Sequence, residues 1–107
     1  MYKNIEKTKV LTLNDQVEYQ KGQVVSKTLV QNELVSMTIF SFDKGEEISS
    51  HAADGDAMVT VLEGKGRFTI CGEVFILNEG ETVIMPKGIP HAVYGEEKFK
   101  MLLVVSF

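Results

Sequence analysis

The run G45-E-E-I-S-S-H-A-A-D-G-D-A-M-V-T-V-L-E-G-K-G66 decides how this chain folds. A histidine, His51, stands just ahead of a segment rich in Val and Thr that ends on Glu63-Gly64-Lys65-Gly66. Val and Thr suit a pleated, half-buried surface, and Gly-Lys-Gly supplies turn chemistry, so the segment reads as a strand closed by a turn.

The same texture continues on both sides. From residue 23 the chain divides into short β-type runs: QVVSKTLVQ, LVSMTIFSFD, AMVTVLEG, GRFTICG, EVFILNEG, ETVIMPKG, HAVYG and FKMLLVVSF. Between them stand turn residues such as Asp54-Gly55, Cys71-Gly72, Asn78-Glu79-Gly80 and Pro86-Lys87-Gly88. Nothing after residue 20 sustains a helical apolar period, whereas alternation is visible at Val35, Met37 and Ile39 against Ser36 and Thr38. Many short strands spaced by about eight to twelve residues predict an all-β sandwich or barrel. Residues 1–22 read as an N-terminal arm of the same domain, with one helical turn capped by Asn14 or Asp15 as an option, and 23–107 as the barrel.

The bulk numbers set limits. A chain of 107 residues with 44% hydrophobic and 24% charged content has room for one core. A net charge of −4, with a single arginine and no basic cluster, argues against nucleic acid as partner. No stretch has the length and apolarity of a bilayer span, so no membrane partner is expected, and the N-terminus lacks the apolar region of a secretory leader. With its one cysteine, Cys71, the chain cannot form an internal disulfide. The expectation is a cytoplasmic protein.

Gly45, five residues and then His51, followed by Gly64, form one spaced pattern; Gly80, five residues, Pro86, one residue, Gly88, two residues and His91 form another. Together they resemble the two motifs of the cupin superfamily, G-x5-H-x-H-x3,4-E-x6-G and G-x5-P-x-G-x2-H-x3-N. The resemblance spans residues 23 to 107 and implies a single-domain jelly-roll β-barrel of two packed antiparallel sheets around a pocket. It also implies that His51 and His91 occupy metal-ligand positions. The other two ligand positions carry Ala53 and Ala57, and the final asparagine position carries Gly95. Asp56, a weaker candidate, joins the pair only if a bulge at Gly55 turns it inward. A divalent ion such as nickel, zinc, iron or manganese is the cofactor implied. The bland alternative is a pair of pocket histidines hydrogen-bonded to backbone or water.

Strand alternation predicts that Met37, Ile39, Ala53, Ala57, Val59, Val61, Phe68 and Val93 line an apolar cup around the two imidazoles. Other Met residues read as gap-filling core, Cys71 as a turn residue, and Tyr94 as packing away from His91. Three functions compete: a module binding a small molecule; a metal-dependent enzyme of dioxygenase, isomerase or decarboxylase type; and an accessory dimerisation unit. The absent second histidine and glutamate favour the first. The tail FKMLLVVSF, apolar on both faces, and the arm supply surface for a homodimer.

Overall fold

In the computed structural model, which describes residues 1–107, two strands are far longer than the rest, and their pairing shapes the molecule. A 3₁₀ turn at Leu13–Gln16 precedes β1 (Val24–Gln31), β2 (Val35–Phe42), β3 (Glu47–His51), β4 (Asp56–Ile70), β5 (Glu73–Asn78), β6 (Thr82–Met85) and β7 (His91–Ser106). All pairings are antiparallel, in the order β1-β2-β7-β4-β5, with β3 on β7 and β6 on β4. The first half of β4 pairs with β6 and the second half with β5. In the same way, β7 gives its first half to β3 and its second half to β2. The two long strands therefore run through both layers of a rolled sheet, as the jelly-roll expectation requires.

The roll turns a corner where the β4–β7 register shifts, between Val61 and Gly66. Gly64 there has φ +80°, and a Cβ on it would collide with the carbonyl oxygen of Lys98 and lie 2.7 Å from the Phe99 Cα. Backbone meets backbone at this corner, so only glycine fits. At the same corner Gly95, the ladder partner of Gly66 and the residue at the motif's asparagine position, passes so close to the Asp43 carbonyl that a Cβ would lie 2.6 Å from its oxygen. The motif glycines Gly45, Gly80 and Gly88 all take positive φ, between 77° and 83°. They are scaffold.

Apolar side chains are buried on both faces of the sheet. Inside the roll lie Phe42, Ala57, Val59, Val61, Phe68, Val93, Phe99 and Met101, with Phe42 and Phe99 stacked at 4.5 Å. Outside, a second cluster of Val17, Leu29, Val30 and Ile39 is covered by Ile5 and Leu13 of the arm. Polar contacts hold the arm down. The buried Lys100 ammonium donates to the Asn14 carbonyl at 2.5 Å and lies 3.7 Å from Glu63, which accepts from the Tyr19 hydroxyl at 2.8 Å. Ser41 donates to the Glu18 carbonyl. The helical turn begins after Thr12, not at Asn14 or Asp15, and no side chain caps it.

Beyond the cluster that the arm covers, Ile84, Met58 and Val104 are successive ladder partners across β6, β4 and β7, and Ile84 is 53% and Met58 38% exposed.

Replacing Gly64 by alanine should lower stability by about 2–4 kcal/mol, since it adds both a disfavoured φ and a backbone collision. The urea midpoint measures this, and a shift no larger than that of an exposed Gly72→Ala control would contradict the corner argument.

Candidate functional site

One cavity of about 160 Å³ lies inside the roll. Its walls come from Phe40 of β2, Ile48 and His51 of β3, Ala57 and Val59 of β4, and Met85 of β6. His91, Val93, Met101, Leu103 and Val105 of β7 and Ala53 of the β3–β4 loop complete it. Ten of the twelve are apolar, so the two histidines carry the polar chemistry of the wall.

A local irregularity brings those histidines together. The β3–β7 ladder pairs Ile48 with Val93 and His51 with His91, and its register shifts between them. Residues three apart on a regular strand face opposite ways. The bulge lets Ile48 and His51 both face the cavity. The two rings pack edge to face with centroids 4.4 Å apart. His51 is exposed, which puts it at the mouth, and His91 is buried.

Each ring is fixed in the same way. The Nδ1 of His51 lies 3.0 Å from the Ser49 carbonyl oxygen, and the Nδ1 of His91 lies 3.1 Å from that of Ile89. A carbonyl oxygen only accepts, so each Nδ1 carries the hydrogen and donates it. Nε2 is then the free nitrogen of each neutral ring, with a lone pair. Burial pushes the His91 pKa below its ordinary 6.5, the bond to Ile89 opposes this, and the neighbouring His51 lowers it further.

The turn that leads into β7 is held from three sides. The Gly88 amide donates to the Ala53 carbonyl, the Cys71 amide to the Pro90 carbonyl, and the Lys87 amide to Oδ1 of Asp56 at 2.9 Å. Asp56 is thus an exposed latch on the turn and not a third ligand. No bulge at Gly55 re-aims it, because the β4–β7 register is unbroken from Asp56–Ser106 to Val61–Met101, and Ala57 faces inward instead.

Of the residues expected to line the cup, Ala53, Ala57, Val59 and Val93 do so beside the histidines. Val61 and Phe68 face the interior but belong to the packed core away from the cavity wall. Met37 and Ile39 are corrections: they face the arm, while Thr38, Phe40 and Phe42 pair with Leu103, Met101 and Phe99 of β7. Strand β2 is buried on both faces, so its alternation does not reveal which face is the barrel. The sequence reading missed Phe40, Ile48, Met85, Met101, Leu103 and Val105. The unbroken apolar run Met101–Val105 was the available signal, since a strand covered on both sides must have an inner face. Tyr94 points away from the cavity, with the Arg67 guanidinium 4.5 Å above its ring.

For a metal ion the donor set is short. First-row divalent ions in proteins usually have three or four protein ligands, and here two imidazole nitrogens stand without a third His, Cys, Asp or Glu beside them. The residues present do not fit a resident metal centre.

Known proteins share this architecture. The family model described as "Cupin domain" matches residues 38–106. A conserved Streptococcus pyogenes protein of unknown function is 50% identical, covers 98% of this chain and 92% of its own, and superposes with a TM-score of 0.96. A cupin superfamily protein from Desulfitobacterium hafniense DCB-2 is 29% identical over 100% of this chain and 98% of its own, with a TM-score of 0.95. An uncharacterized protein of Aquifex aeolicus (strain VF5) is 30% identical over 95 residues, 87% of this chain and 78% of that protein.

Acid should destabilise the fold through His91. Above pH 6.5 the ring is neutral whether the chain is folded or unfolded, and it adds no pH dependence. As pH falls through 6.5 the unfolded chain takes up the proton first, so stability drops by up to about 1.4 kcal/mol per pH unit until the folded ring also protonates. Asp43 and Glu81, whose pKa values are lowered by backbone amide donors, add stability that is lost only at lower pH. Urea midpoints between pH 7.5 and 5.5 should therefore fall in the wild type and flatten in His91→Gln; parallel slopes would refute the assignment.

Proposed function

The chain belongs to the cupin family, and from that premise we propose that it is a binding module whose barrel cavity holds a small, largely apolar organic molecule. One observation carries this reading: an apolar cavity with two imidazoles, both fixed by backbone carbonyls, at one side of its wall. Such pockets take their affinity from the apolar walls and their orientation from a few placed polar groups. Ala53 and Ala57, at the positions where the family pattern has a histidine and a glutamate, leave room where ligands to a metal would stand.

The second reading, a metal-dependent enzyme of dioxygenase, isomerase or decarboxylase type, is favoured by the two free Nε2 atoms. It needs donors from outside the pair. A weakly held ion shared with water or with the bound molecule is the form of metal binding that two imidazoles support.

Two measurements on untagged protein separate these readings. Benzene or toluene should shift the amide resonances of Ala57, Val93 and Val105 in the wild type, and Ala57→Leu, which fills the cavity, should weaken that response at least tenfold. Elemental analysis should find nickel, zinc, iron and manganese well below one per chain. A near-stoichiometric metal that disappears in a His51→Ala, His91→Ala double variant would favour the enzyme, and no amide response to any small apolar probe would end the binding reading.

The partner proposed for the outer face is a second copy of the chain. The row Ile84–Met58–Val104 bears no charge, so two chains of net charge −4 can meet there without setting like charges against each other. Light scattering at micromolar concentration should give a dimer mass that Met58→Lys with Ile84→Lys reduces to that of a monomer; a monomeric wild type would refute it.

A further inference from the structure

The cavity's size, walls and polar atoms narrow what it can hold. Its volume of about 160 Å³ is close to the ~150 Å³ of an engineered apolar cavity that admits benzene. A single six-membered ring with one or two small substituents therefore matches the part of a ligand that the cavity encloses. Phe40, Ile48, Met101 and Leu103 offer that body carbon and sulfur surface, and Phe40 with the two imidazole rings gives it aromatic edges and faces to pack on.

The hydrogen-bonding side is more selective. The Nδ1 hydrogens are already spent on the Ser49 and Ile89 carbonyls. What remains on each neutral ring is a lone pair, which accepts and does not donate. A carboxylate or phosphate entering this space would bring acceptors to acceptors. No lysine, arginine, hydroxyl or amide side chain lines the wall to answer it. Protonating His91 would create a donor, but a cation on that buried ring, beside a second imidazole 4.4 Å away, is costly. The matching ligand is uncharged and carries its own O–H.

We propose that the pocket is a receptor for a neutral, single-ring phenolic molecule, whose ring fills the apolar cavity and whose hydroxyl donates to Nε2 of His91 or His51. This rests on the binding reading above and specifies its ligand class. A phenolic O–H is a better donor than an aliphatic one and pairs well with imidazole nitrogen, and the flat ring loses little conformational freedom on entering. A second hydroxyl beside the first could address the second imidazole.

The test compares three probes of one size, phenol, toluene and benzoate, by titration of amide resonances at pH 7.5. Phenol should bind about fivefold or more tightly than toluene, the worth of one net hydrogen bond, and benzoate should bind at least tenfold more weakly than phenol. In His91→Leu, which keeps the cavity apolar, phenol should lose its advantage over toluene; if that variant does not fold, the wild-type series alone decides. Toluene binding as well as phenol, or benzoate binding better, would overturn the phenol inference while leaving an apolar binding pocket in place. If none of the three perturbs the cavity residues, the binding reading falls with it.

Discussion

The ladder between β4 and β7 is the constraint on which the rest depends. It runs from Asp56–Ser106 at one end to Ile70–His91 at the other, through a corner where two backbones come too close for any side chain at Gly64. Because both strands bend there together, every other strand has a fixed place: β6 and β2 on one arm of the bend, β5 and β3 on the other. The cavity lies within the bend, and β7 supplies five of its twelve lining residues. Loss of register in this one ladder would displace the cavity wall and His91 at once, since a slip of one residue turns each side chain to the opposite face.

The site shows how little side-chain chemistry is needed to aim two imidazoles once the backbone is set. Each ring is oriented by a carbonyl two residues earlier in its own segment, and the bulge in β3 brings His51 to the same face as Ile48. Asp56 and Ala53 act at one remove, holding the turn from Pro86 to Pro90 so that β7 starts at the right point. An aspartate that looks like a ligand in the sequence therefore serves the histidine through the main chain.

This explains what was legible in the residues and what was not. Gly45, Gly80, Gly88, Pro86 and the two histidines could be read because their reasons are local: positive φ, a fixed turn, and a place in a spaced motif; Gly64-Lys65-Gly66, which reads as a turn, instead lies within the continuous strand β4. The inner face of β2 could not. Met37 and Ile39 alternate with Ser36 and Thr38 as a half-buried strand should, yet the apolar set is covered by the arm while Thr38 shares the barrel side with Phe40 and Phe42. Alternation gives the period of burial but not its phase when both faces are covered, and the cover came from Ile5, Leu13 and Val17, far away in sequence. The same blindness hid Lys100, a cation in an apolar run, whose partners are the Asn14 carbonyl, Glu63 and the Tyr19 ring.

The alanines at 53 and 57 sharpen the physical choice between holding a metal and holding a molecule. A metal centre needs converging donors, and their charge or dipole makes a cavity polar; an apolar ligand needs volume and dry walls. At these two positions the chain has only a methyl side chain, and Ala57 of β4 is almost fully buried without adding a polar atom. The surrounding Met85, Met101 and Leu103 are adaptable and carry no oxygen or nitrogen lone pair, so they cannot complete a coordination shell for a hard ion but can close around a small ring. With its Nδ1 hydrogen held by the Ile89 carbonyl, the buried His91 ring keeps its Nε2 lone pair for what enters the cavity.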